Sequence, residues 1–134
     1  MAALTKDRNT PKRVGATYED PAAAGAKVHA GSIVVLNATG LAVPGSTALG
    51  LKARGMAAEA VDNTGGADGD LVVKSEPGVY RFENDGSIDR THIDGTAYIV
   101  DDQTVAATDG TGTRSAAGTI KDVDADGVWV AIGI

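Results

Sequence analysis

The chain has 134 residues, a mass of 13.5 kDa, a net charge of −6 and a sequence pI near 4.7. That is one domain's worth of sequence, and size scaling gives a folded surface of roughly 6,500 Å² against about 19,600 Å² unfolded, enough burial for one modest core. Zero cysteines exclude disulfides, thiolate nucleophiles and Cys-zinc sites; no apolar run approaches the ~18 residues of a membrane span, and the acidic balance argues against broad nucleic-acid binding. The first residues contain no apolar signal-peptide core, so no secretion is expected.

Large side chains are scarce. There are 23 Ala, 18 Gly and 13 Thr, but one Phe, one Trp and three Tyr, and Leu, Ile, Val and Phe together make up 28 residues. A chain so poor in large apolar groups stands to gain stability from partner subunits.

In chain order, residues 1–15 form a basic leader. Lys6, Arg8, Lys12 and Arg13 stand against Asp7 alone, giving +3, whereas residues 16–134 carry −9. The leader has no hydrophobic period, and Pro11 denies it a simple helix or central strand. It is expected to be an extended arm, and a frayed terminus is the plainer alternative. Residues 16–134 are expected to form a single β-rich domain.

The body starts with Ser32-Ile33-Val34-Val35-Leu36, a β-branched strand run ended by Ala38-Thr39-Gly40. Residues 47–61 are Ala-rich and suit a helix by propensity, but Gly50 and Gly55 each cost a helix up to about 1 kcal/mol relative to Ala. The alternation of Leu49, Leu51 and Ala53 favours a strand with a bulge. Leu71–Glu76 is a strand closed by Pro77-Gly78, and Val79–Glu83 alternates as a half-buried strand before the turn Asn84-Asp85-Gly86. Residues 88–95 suit a single helical turn with Thr91 as its cap. Thr96–Val100 is a strand stopped by Asp101-Asp102. Thr119–Val123 and Val128–Ile132 form a hairpin about Asp124–Gly127, with Val128, Val130 and Ile132 on one face and Trp129 on the other. The expected fold is therefore all-β with at most one short helical turn, a small β-barrel or sandwich-like domain bearing an extended N-terminal arm.

Chemical motifs are incomplete. Asp122-Val123-Asp124-Ala125-Asp126-Gly127 matches the start of a calcium loop, but the twelfth position, which needs a bidentate Glu, is Gly133. An acidic hairpin turn accounts for the same residues. Gly110-Thr111-Gly112-Thr113-Arg114-Ser115 lacks the third Gly of a dinucleotide fingerprint. His29 and His92 are the only histidines, too few for a usual zinc site, and no Ser lies in a G-x-S-x-G elbow. Asn37-Ala38-Thr39 is a formal sequon with no secretory context. No catalytic residue, cofactor or metal site is expected.

Several segments carry a resemblance. They are Thr5-Lys6-Asp7-Arg8-Asn9-Thr10-Pro11-Lys12-Arg13, residues 30–37, 40–45, 61–63 and 78–82, then Tyr98–Val105, Asp109–Ser115 and Gly127–Val130. Asp-Arg-Asn-Thr-Pro and Val-Asp-Asp-Gln-Thr-Val are the most distinctive. Together they resemble the head decoration, or capsid cement, proteins of tailed bacteriophages, of the group found in Mu-like and related siphophages. The resemblance implies a non-enzymatic structural virion protein on the outer surface of the capsid, made in the host bacterial cytoplasm. Its partners would be the phage major capsid protein and itself, as a homo-oligomer forming a trimer on the capsid, with neither nucleic acid nor membrane involved. It would cement neighbouring capsid subunits against the pressure of the genome. Lys6, Arg8, Asn9, Pro11, Lys12 and Arg13 would form the capsid-binding arm. A non-catalytic β adhesin or tail-associated binding module is the alternative.

Overall fold

A computed structural model describes residues 2–9 and 17–134. Twelve strands and one 3-10 turn are found among them: β1 Tyr18–Pro21, β2 Lys27–Val28, β3 Ile33–Leu36, β4 Ala42–Pro44, β5 Lys52–Ala57, β6 Val61–Asp62, β7 Val72–Glu76, β8 Gly78–Asn84, β9 Thr96–Ile99, β10 Thr104–Ala106, β11 Ala116–Asp124 and β12 Gly127–Ile132, with the 3-10 turn at Arg90–His92. The protein is all-β, and its second half closes into a small five-stranded barrel in the order β10-β8-β12-β11-β9. The first half forms a separate sheet, β1-β7-β5-β3-β4, and β2 pairs with β6 as a short ribbon.

The barrel closes because β11 bends. Its register slips against β9 between Ala116 and Gly118, and against β12 between Ile120 and Asp122, so Ala117 and Lys121 are the extra, bulged residues. Bulges increase local bend and twist, which a barrel this small requires. Gly118 follows the first bulge, where a Cβ would stand 1.9 Å from the carbonyl oxygen of Ala131, so no other residue fits without moving the backbone. The β11–β12 hairpin turns on Ala125-Asp126 alone, because Asp124 and Gly127 already pair.

Burial falls into two clusters rather than the single core that chain length suggests. One occupies the barrel strands and includes Phe82, Ile99, Ile120, Val128, Val130 and Ile132; Ile33 and Val35 of β3 join it. The other gathers Ala22, Val28, Val34, Ala42, Ala57, Val61 and Val73 on the opposite face of β3. Successive side chains in a strand point to opposite faces, so Ile33-Val34-Val35 serves both clusters, and all three residues are fully buried. The first sheet curls around its cluster: Ala22, just after β1, forms a parallel bridge to Ala42 of β4, so its two edge strands meet at that end.

Two expectations need correction. Residues 47–61 are not one strand: β5 begins at Lys52, Leu49 is exposed, and Val61–Asp62 is a separate strand. The expected bulge is present at Arg54, where Val34 faces Gly55 and Val35 faces Ala53. The 3-10 turn is capped by Asp89, not Thr91. Asp89 has the extended backbone a cap requires, and its carboxylate accepts the backbone N–H of Thr91 at 2.9 Å. A carboxylate placed one residue before the turn reaches its free N–H groups, whereas Thr91 lies inside it.

Because β3 is shared, deleting its bulk should loosen both halves. Ile33→Ala should cost about 2–5 kcal/mol in denaturant unfolding, and Val72→Ala, at a half-exposed position at the start of β7, should stay within about 0.5 kcal/mol. Equal small effects would show that β3 is not the shared core.

Candidate functional site

Residues 2–9 carry neither helix nor strand, and every one of them is exposed. Lys6, Arg8 and Asn9 therefore lie on an irregular stretch, bent at Thr5 and Lys6, that is reached by solvent. Pro11, Lys12 and Arg13 lie outside the described residues. The polar composition explains this state: a segment with only Leu4 as a large apolar group has too little to bury to offset roughly 1–2 kcal/mol of backbone entropy per residue.

β1 is the first strand of the described body, and sequence reasoning missed what holds it. Arg54 Nε donates to Asp20 Oδ2 at 2.8 Å and Nη2 donates to Oδ1 at 3.2 Å, while the guanidinium carbon lies 3.8 Å from the centre of the Tyr18 ring. The hydrogen bonds to Asp20 hold the Arg54 proton more firmly than usual, despite partial burial. No motif announces this group, because its members come together only through the register of three strands.

The acidic hairpin turn is occupied by the protein's own donors. Asp124 Oδ1 accepts the backbone N–H groups of Asp126 and Gly127, and Oδ2 accepts the indole N–H of Trp129 at 2.9 Å. Asp122 binds Arg90 at 2.9 Å, and Asp126 lies 3.9 Å from Arg81. The three carboxylates thus face separate partners instead of one point. The indole bond, seconded by the backbone N–H of Asp126, pulls the Asp124 carboxyl below its ordinary pKa.

A cleft of about 320 Å³ between the β2–β3 and β9–β10 connections is lined by His29, Ala30, Gly31, Ser32, Asp102 and Gln103. It brings a Ser, a His and an Asp near one another, which spacing along the chain did not suggest. The buried Ser32 hydroxyl nevertheless makes no hydrogen bond, so His29 does not contact it as a general base would. His92 is spent on the 3-10 turn, where Nδ1 accepts the backbone N–H of Asp89. Asn37 of the formal sequon folds back on itself, with Oδ1 accepting from Thr39 and Leu41 N–H groups. Arg114 reaches the carbonyl of Thr108 within its own Gly-rich loop. No helix among the described residues is long and apolar enough to cross a membrane, and no group of three or more His, Cys, Asp or Glu among them is arranged to hold a metal ion.

No protein-family model, curated protein or solved structure matches this chain significantly.

Two measurements follow. Trp129 is the single tryptophan, so its fluorescence reports Asp124. A carboxyl with a lowered folded pKa contributes stability above its unfolded pKa and loses it as pH falls through the folded one. Trp129 emission should therefore titrate with a midpoint below about 3.9, the ordinary aspartate value, and Asp124→Asn should abolish that step; a step surviving in the variant would refute the assignment. Micromolar Ca²⁺ should leave the melting temperature unchanged, because the carboxylates are already engaged. A rise of several degrees that a chelator reverses would contradict this.

Proposed function

We propose that this chain is a decoration protein of a tailed-phage head, binding the outside of the assembled capsid and cementing neighbouring major capsid protein subunits. The observation that carries this reading is the wholly exposed stretch 2–9, which bears Lys6, Arg8 and Asn9, on a body whose sequence carries −9. An extended polypeptide can add a strand to an exposed sheet edge, where backbone hydrogen bonds supply affinity. Its bases would pair with acidic groups on the shell, favouring register and association rate more than raw affinity.

The body supports the same reading. It is a β scaffold in which Asp62, Asp70, Asp85, Asp89, Asp101 and Asp124 serve turns and caps, and no nucleophile–base contact is formed in the His29–Ser32–Asp102 cleft. Such a domain is suited to mechanical work: a shell that binds only the folded form stabilises it by mass action, and repeated copies on one shell add avidity. We read the protein as non-enzymatic, with self-association into a trimer on the capsid surface.

The test is co-sedimentation with empty heads of the parent phage that lack the protein. The full chain should saturate the heads, and deletion of residues 2–13 should remove most of the binding, with the remaining affinity falling less steeply with salt. Equal occupancy by the truncated chain would show the arm to be dispensable, and no binding by the full chain would reject the capsid reading.

A further inference from the structure

The first strand, β1, is held from across the sheet. β7 lies between β1 and β5, yet Arg54 of β5 reaches both Asp20 and Tyr18 of β1. Three features make this reach possible. Arg54 is the bulged residue of β5, and a bulge re-aims a side chain that regular alternation would send elsewhere. The β7 residue paired with both Tyr18 and Ala57 is Ser75, a small and fully buried side chain that leaves room for the crossing stem. Asp20 pairs with Val73 in the β1–β7 ladder, so its carboxylate shares the inward face of the curled sheet.

The contact is also unlike the other ion pairs. Both Asp20 oxygens are taken by the guanidinium fork, whose flat face is taken by the Tyr18 ring, a geometry that lysine cannot reproduce. The Asp20 side chain is only 11% exposed, whereas in the remaining pairs among described residues both partners are more than a third exposed. β1 is four residues long and its ladder runs only to β7. Its continuation, Ala22–Ala24, is tied by hydrogen bonds to Ala42, Asn63, Asp68, Gly69 and Leu71, which leaves Arg54 as the side chain that grips β1 itself across the sheet.

We infer that Arg54, acting through Asp20 and Tyr18, is a positioning residue that latches the edge strand β1 to the rest of its sheet, an inference that does not rest on the capsid-arm reading.

Hydrogen exchange on the full chain tests the latch. In Arg54→Met, which keeps most of the stem but loses charge and fork, amides of residues 18–22 and 72–75 should exchange about tenfold faster or more, while those of β8, β11 and β12 keep wild-type rates. Arg54→Lys should show the same selective loosening to a smaller degree, and it carries the contrast if Arg54→Met fails to fold. Asp20→Asn combined with Arg54→Met should add little to Arg54→Met alone, as expected of partners in one interaction. Unchanged exchange at residues 18–22, or equal acceleration in every strand, would overturn the inference. Because the readout is exchange in the free protein, failure of the capsid reading and failure of the latch are told apart.

Discussion

The two-sided burial of β3 is the constraint on which the rest of the molecule depends. An antiparallel strand commonly keeps one face in water. Here Ile33 and Val35 enter the barrel's cluster while Val34 enters the other, and none of the three is accessible. Two small clusters that would each be marginal alone thereby share one wall. A backbone hydrogen bond reinforces the junction: Ile33 donates to the carbonyl of Asp102 beside the barrel's β9–β10 turn.

This arrangement explains the odd composition. The cluster inside the curled first sheet is walled by Ala22, Ala42 and Ala57, small residues that let strands and their connections come close. Gly118 and Gly55 stand where a Cβ would strike a neighbouring backbone, that of Ala131 and of Glu76 respectively. Alanine and glycine here are packing choices in a tightly wound β structure, and they carry the fold despite the scarcity of aromatic residues.

The parts of the fold legible in the sequence are those with dense β-branched runs or a strong turn signal. Ile33–Leu36, Val72–Glu76, the alternating β8 and the β11–β12 hairpin all fall in segments that announce themselves. The short strands β1, β2, β4, β6 and β10 do not, because two to four residues carry no period and their pairing is set by distant chain; Pro21 and Pro44 further disguise β1 and β4, where proline is tolerated at strand ends on sheet edges. Closure of the barrel depends on bulges at Ala117 and Lys121, which no local pattern marks. The exposed Lys6, Arg8 and Asn9 were legible from charge and the lack of hydrophobic period. The Arg54–Asp20–Tyr18 contact was not, since it exists only once β1, β7 and β5 are in register.

Together these features describe a β body with an edge strand gripped by Arg54 and an exposed basic segment. The most direct test of the capsid-cement account is an electron-microscopy reconstruction of empty heads decorated with the full chain. It should show trimeric protrusions of this mass at local threefold positions, with density for residues 2–9 running onto the shell. Monomeric or dimeric protrusions, or residues 2–9 pointing away from the shell, would contradict it.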